Sequence, residues 1–428
     1  MKLWDKGTNT ETIIEQFTVG NDRVLDIQLS KYDVLGSLAH AAMLNSVGLI
    51  QEDELQGIEH ELRLLLKEIE QGTFTIEESF EDVHSKVEYI LTEKLGEAGK
   101  KIHTARSRND QVLVDLHLFA KDEIEEIKVL TKSLFDRLIA LSEQHKNELL
   151  PGYTHLQVAM PSSFGLWFGA YAESLVDDVY FLNAAYHIAD QNPLGSAAGY
   201  GSSFPIDREQ TTKLLKFQDL KYNSVAAQMS RGKLERSLAF AMSSIAGTLS
   251  KLAMDVCLYM NQNFGFITFP AELTTGSSIM PHKKNPDVFE LVRAKCNKIQ
   301  ALPTELVVIT NNLPSGYHRD FQLLKESLLP AIEALKSCLF ITEYMLRSII
   351  INSNLLDHAK YDYLFSVEVL NDHVQQGMSF RDAYKQVGKD IEEGKYTPVK
   401  DVKHTHIGSI GNLANDSIRQ KMEDALKV

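Results

Sequence analysis

The sequence predicts an all-α protein built on a bundle of long helices, with smaller, mostly helical N- and C-terminal domains. Two observations lead there. No glycine or proline interrupts the chain between Gly99 and Pro151. Across that stretch apolar residues recur at Leu113, Leu116, Ala120, Ile124, Ile127, Leu130, Leu134, Leu138 and Leu141, in steps of three and four. That spacing is the apolar stripe of one long bundle helix.

Residues 1–103 form an N-terminal domain of short helical stretches. Ser37-Leu38-Ala39-His40-Ala41-Ala42-Met43-Leu44 is a small-residue helix suited to close packing, and Leu62, Leu65, Leu66 and Ile69 mark an amphipathic helix ending at Gly72. In Glu81-Asp82-Val83-His84 the histidine is read as a structural contact at a helix start.

Residues 104–350 form the central bundle. Its first helix is expected over Gln111–Leu150, about 60 Å long at roughly 1.5 Å per residue. Further helices are expected from Ser162 to Gln191, Gln228 to about Asn263, Pro286 to about Thr310, and about Leu324 to Ile350. Little reads as strand. Wide apolar faces on helices this long exceed one chain's needs and call for partner chains. Residues 351–428 form a small C-terminal domain ending in a turn at His404-Thr405-His406-Ile407-Gly408 and a last helix. The two turn imidazoles have no third ligand nearby, so no metal site is expected.

A formal charge of -14 argues against nucleic acid or an anionic membrane as a general partner. Cys257, Cys296 and Cys338 are far apart in apolar, helix-like surroundings and read as free buried thiols. Met1-Lys2-Leu3-Trp4-Asp5-Lys6 lacks the apolar core of a leader peptide, and no apolar run approaches membrane-spanning length. The expected compartment is the cytoplasm.

The densest chemistry lies in Thr275-Gly276-Ser277-Ser278-Ile279-Met280-Pro281-His282-Lys283-Lys284-Asn285-Pro286-Asp287. A glycine and two hydroxyls suit a mobile loop, and the two lysines supply positive charge for a carboxylate. Asn285-Pro286-Asp287 reads as a helix start with Asn285 as N-cap, placing a helix N-terminus beside the cations. A surface turn with solvated lysines is the plain alternative for any isolated Gly-Ser-Ser.

Three more stretches carry polar groups at helix breaks. His103-Thr104-Ala105-Arg106-Ser107-Arg108-Asn109-Asp110 places arginines and an amide ahead of the long helix, either as a carboxylate clamp or as a simple basic cap. Pro151-Gly152-Tyr153-Thr154-His155-Leu156-Gln157 holds a loop histidine, a residue that is more often structural. Leu313 to Lys325 combines a Pro/Gly turn with a phenol, an amide and an amine.

The Gly-Ser-Ser-x-Met-Pro core ending in Asn-Pro resembles the signature of the fumarase/aspartase lyase superfamily. Its Lys283-Lys284-Asn285-Pro286-Asp287 ending is similar to the argininosuccinate lyase branch, although His282 stands where that branch usually has glutamine. The other three stretches resemble the same branch in order and spacing, so the plain alternatives weaken together. The resemblance runs from about residue 1 to 350, and the chain looks shorter than the family beyond that point.

The resemblance implies reversible β-elimination of argininosuccinate to arginine and fumarate. A proton leaves carbon beside a carboxylate, giving a doubly charged aci-carboxylate. Each preplaced donor or cation that meets this charge is worth about 3 kcal/mol. The implied catalytic residues are Ser277 and His155 as acid and base, Lys283 as charge stabiliser, and Glu290 orienting the histidine. Ser277 is favoured as the base, and the reverse assignment stays open. The implied substrate contacts are Arg108, Asn109, Thr154, Asn285, Tyr317, Gln322 and Lys325. No cofactor is implied. An unbroken long helix would hold Asn109 and His155 roughly 60 Å apart, so a shared site needs more than one subunit, in keeping with the family's homotetramer.

Two departures stand out. The family serine ahead of the Asp-x-x-Leu motif has no counterpart in Phe17–Arg23, where Asp22 takes its position, and the pattern around Gln228–Lys233 is altered. Another fumarate-releasing lyase of the superfamily, or a helical protein that kept the fold without turnover, are the alternatives.

Overall fold

The computed structural model describes residues 12–427. The Met1–Lys6 stretch therefore lies outside the described residues. The named helices are α1 (Ser30–Ser46), α2 (Glu52–Glu70), α3 (Val83–Leu95), α4 (Arg108–Gln144), α5 (Phe164–Ala189), α6 (Lys233–Met260), α7 (Asp287–Ile309), α8 (Leu323–Leu346) and α9 (Asn415–Ala425). Strands are few and short: β1 (Leu149–Thr154) pairs antiparallel with β2 (Gln157–Ser163), and two further pairs are two residues deep. The all-α expectation stands. No described helix is long and apolar enough to cross a membrane.

The boundaries differ from expectation in instructive ways. Helix α4 starts at Arg108, three residues before Gln111, because Ser107 and Asp110 build a cap. The Ser107 backbone N–H donates to Asp110 Oδ1 at 2.8 Å, and Ser107 Oγ accepts from the Asn109 N–H at 3.3 Å. It stops at Gln144 rather than Leu150 because Leu149–Thr154 is taken up by a hairpin that the helical reading of this region missed. Helix α6 begins at Lys233, after a short helical turn over Ser224–Gln228, because Gly232 adopts φ +79°. Asn285 is not the N-cap of α7. It bridges to Thr275, its N–H donating to the Thr275 carbonyl at 2.8 Å, and the Pro286 carbonyl accepts the first helical bond from Glu290.

The chain resolves into two compact units, each drawing residues from the five long helices. The first comprises residues 1–127, 181–244 and 298–335. Its core packs Val34, Ala41 and Leu44 of α1 against Ile58, Leu62 and Leu65 of α2 and Val83, Val87 and Leu91 of α3. Helix α2 opens with a Gln51/Glu54 capping box, and Gly72 past its end takes φ +70°. The small-residue character of α1 has a cause at Gly36, where an added Cβ would sit 3.1 Å from Val114.

The second unit comprises residues 128–180, 245–297 and 336–428. Its centre is aromatic. Trp167 packs on Phe168 and Tyr259 with ring centroids 4.7 and 5.1 Å away, and Tyr259 on Phe266 at 5.1 Å. The polar edges of this cluster converge on Asp255, which accepts from Trp167 Nε1 at 3.0 Å and Tyr171 OH at 2.6 Å. Cys296 and Cys338 are buried thiols outside any disulfide, and Cys257 is half-buried.

Candidate active site

In the first unit a cavity of about 140 Å³ opens among the N-terminal segment, the start of α4 and the start of α8. Arg108, Asn109, Tyr317, Gln322 and Lys325, five of the seven expected substrate contacts, line it together. Residues 109 and 317 meet because the start of α4 and the Pro/Gly turn before α8 open on the same space. Gln322 is anchored by donating from Nε2 to the Val19 and Thr18 carbonyls at 2.8 and 3.1 Å.

The cavity wall also carries acids that sequence reasoning left unassigned. Arg108 is held by Glu81 at 2.9 Å and Asp82 at 3.2 Å, and donates to Ser85 Oγ at 2.5 Å. Arg319 meets the other oxygen of Glu81 at 3.2 Å. Burial alone would raise the Glu81 pKa, but the Arg108 and Arg319 guanidiniums outweigh it and hold the carboxyl below its usual range. Asp82 is likewise held low, with His84 and Arg108 overcoming its burial. Lys325 is buried between Asp22 at 2.8 Å and Asp26 at 2.6 Å, and these two acids hold its pKa above the ordinary value despite desolvation. Asp22 is pushed up to about 6, chiefly by burial; Lys325 opposes this, but the lysine is shared with Asp26, whose charge also acts on Asp22. Arg231 is committed to Glu235 at 2.8 Å and to the Phe321 carbonyl at 2.8 Å.

His84, expected as a structural contact, is one, but it also lines the cavity. Its Nδ1 lies 2.7 Å from Asp33 Oδ1 and 3.7 Å from Asp115 Oδ2. Desolvation lowers its pKa, yet Asp33, Asp82 and Asp115 together hold it up at about 9. Burial, then Asp33, drives Asp115 well above the usual carboxylate range. The three side chains could be read as a metal triad by proximity. The short Asp33 contact instead spends the imidazole proton on a hydrogen bond, which makes the trio an ion-paired cluster. The signal for this wall was the Glu81-Asp82-x-His84 spacing at a helix start, with Asp82 as the N-cap of α3.

The remaining expected residues belong to the second unit. Thr154 and His155 sit at the tip of the β1–β2 hairpin, where Thr154 pairs with Gln157 across a two-residue turn. His155 and Leu156 both take left-handed conformations, φ +53° and +58°. Two consecutive positive φ angles are the geometry of a type I′ turn, which asparagine and glycine ordinarily occupy. Such strain at a non-glycine pair is characteristic of functional positions. His155 is exposed at this tip.

Ser277, Lys283 and Asn285 share a loop pinched shut by the Thr275–Asn285 bridge. Asn285 Nδ2 donates across it to the Gly276 carbonyl at 3.3 Å. Ser277 Oγ accepts from the Met280 and Ile279 N–H groups at 3.2 and 3.4 Å. Lys283 is exposed, and Glu290 lies on the outer face of the first turn of α7. Within one chain no hydrogen bond joins Glu290 to His155 among the described residues.

Residues 6–301 match the family model described as Lyase. The chain is 60% identical over 425 residues to an argininosuccinate lyase from Parabacteroides distasonis, covering 99% of this chain and 95% of that protein. It is 59% identical, with the same coverage, to one from Bacteroides thetaiotaomicron. The chain belongs to the argininosuccinate lyase family. A more distant family member, from Thermotoga neapolitana, is 42% identical over 91% of this chain and 98% of its own length. Two solved structures share the family fold. An EDDS lyase variant with bound fumarate superposes with a TM-score of 0.79 at 20% identity, covering 98% of this chain and 90% of that one. The class II fumarase of Schistosoma mansoni gives 0.75 at 18%, covering 96% and 95%.

Proposed function

We propose that this chain cleaves argininosuccinate to arginine and fumarate, a step of arginine biosynthesis, in the cytoplasm. The observation that carries the reading is the convergence of Arg108, Asn109, Tyr317, Gln322 and Lys325, separated by more than two hundred residues, on one cavity. That mixed wall of amide, phenol and charged groups suits a substrate with three carboxylates, a guanidinium and an ammonium. A purely cationic site would suit it less.

In this reading Ser277, as its alkoxide, takes the proton from the carbon beside the carboxylate. The two backbone N–H groups aimed at Ser277 Oγ favour the alkoxide, as preplaced donors do for any developing oxyanion. The electron pair left on carbon moves into the carboxylate, forming the aci-carboxylate, which Lys283 and the Asn285 amide stabilise. Collapse of that intermediate forms the fumarate double bond and breaks the carbon–nitrogen bond. His155, oriented by Glu290, delivers a proton to the departing guanidine nitrogen. Thr154 and Asn285 complete the substrate contacts.

The active assembly is a homotetramer with sites shared between subunits. Helix α4 is continuous over 37 residues, about 55 Å at roughly 1.5 Å per residue. Asn109 is in its first turn and His155 lies beyond its last. A pocket containing both draws them from different chains.

Fumarate release tests the activity. The protein is incubated separately with argininosuccinate, adenylosuccinate and aspartate, and absorbance of the product double bond is followed. Turnover with argininosuccinate alone is expected, and silence with it would overturn the assignment.

A further inference from the structure

A second cavity in the first unit, of about 610 Å³, shares no lining residue with the first. It lies between α1, α2, residues 118–122 of α4 and the end of the short helix Arg208–Leu214. Small-molecule sites typically measure about 300–1,000 Å³. Leu35, Leu38 and Ala42 of α1, Leu118 of α4, and Leu214 and Leu215 give it an apolar surface. The proposed reaction uses none of these residues.

Four cations line this cavity, Lys31, Arg63, Lys121 and Lys216, against two acids, Glu59 and Asp122. Three of the cations are paired. Lys31 meets Asp122 at 2.8 Å, Arg63 meets Glu59 at 3.8 Å, and Lys121 bonds Asp190. Only Lys216 is paired with no carboxylate among the described residues. Glu123 and Glu126 bear on Tyr32 from outside the lining and make the Lys31–Asp122 corner negative, so the place for an anion is at Lys216.

The Lys216 backbone is fixed at the rim. Its carbonyl accepts from Lys121 Nζ at 2.8 Å. Its N–H donates to the Lys213 carbonyl at 3.1 Å, and the Phe217 N–H to that of Thr212 at 3.0 Å. In this Schellman closure of the short helix the residue at φ +55° is ordinarily glycine. Lysine is strained there, and strain of this kind is characteristic of functional positions.

We infer that this cavity is a second ligand site, for an organic monoanion: an apolar body carrying one carboxylate. The leucines take the body, and the Lys216 ammonium takes the charge. Burial of apolar surface and one charge pairing act together, so neither the charge alone nor the body alone is enough for tight binding.

The test is calorimetric titration of the assembled protein at neutral pH with three probes. They are 2-naphthoate, 2-naphthylmethylammonium (the same body with opposite charge) and acetate (the same charge with no body). The unaltered protein should bind naphthoate at least about tenfold more tightly than the ammonium, the lower range for a charge-assisted contact, and should not bind acetate measurably. Lys216→Asn removes the charge and Lys216→Asp reverses it. Both residues tolerate a left-handed backbone, so the fold is kept. In Lys216→Asn the two naphthyl probes should bind within about threefold of each other, and in Lys216→Asp the ammonium should bind more tightly. Fumarate release from argininosuccinate should be unchanged in both variants. Absence of naphthoate binding by the unaltered protein would overturn the inference. So would equal affinity for the two naphthyl probes, acetate binding as tight as naphthoate, or naphthoate affinity unchanged in both variants, which would place the probe elsewhere.

Discussion

His84 Nδ1 lies 2.7 Å from Asp33 Oδ1, with both side chains almost sealed from water. The imidazolium persists there against desolvation because Asp33, Asp82 and Asp115 surround it. Its pKa of about 9 lies above the unfolded value of 6.5. The stabilisation is therefore fully present below about pH 6.5 and is lost as pH rises through 9, a contribution on the order of 3 kcal/mol. Urea unfolding should show stability falling between pH 7 and 9.5. His84→Ala should cost about 3–5 kcal/mol at pH 7, because it strands buried carboxylates. The variant should also lose this part of the alkaline dependence.

Ser277→Ala and His155→Asn remove the proposed proton-transfer groups without touching any core contact. Ser277 is half-buried in its loop, and His155 is exposed at the hairpin tip. Each should lower kcat by about 10²–10⁴-fold in the fumarate assay. Elution on size exclusion should be unchanged.

Subunit exchange tests the proposed shared site directly. Asn109→Ala and His155→Asn proteins should each be nearly inactive alone. After mixing under conditions that let chains exchange, some of the proposed tetramers would be hybrids holding a site with both native groups, and fumarate release should partly recover. If activity stays at the level of the separate mutants, the shared-site arrangement is wrong.

Leu156 holds φ +58° at the second turn position of the β1–β2 hairpin. Glycine tolerates that conformation without penalty, whereas a β-branched residue does not. Leu156→Gly should leave thermal stability unchanged or raise it by up to about 1 kcal/mol, while Leu156→Val should lower it by about 1–2 kcal/mol. A thermal melt of the two variants decides the matter. Because Leu156 is 76% exposed, lost packing does not confuse the comparison.

Local patterning made much of the architecture legible. The unbroken stripe from Leu113 to Leu141 announced α4, and Gly72 announced the end of α2, because helix periodicity and capping are properties of neighbouring residues. The hairpin over Leu149–Ser163 was not legible in the same way. Its turn carries His155-Leu156, with none of the Asn-Gly chemistry that signals a type I′ turn, and the strands take their register from pairing across it. Asn285 misled for a related reason: it has the sequence of an N-cap, but pairing with Thr275 takes up its backbone and moves the cap to Pro286.

The sequence by itself determined the helical bundle, the family and the residues proposed for chemistry, since short motifs and apolar periodicity are written in consecutive positions. Only the tertiary structure decided that Lys325 rests between Asp22 and Asp26, 303 and 299 positions away, and that Glu81 clamps both Arg108 and Arg319. Charge balance in a buried cavity depends on which distant groups share it and how far water is excluded. Both are set by packing between segments that no local pattern connects.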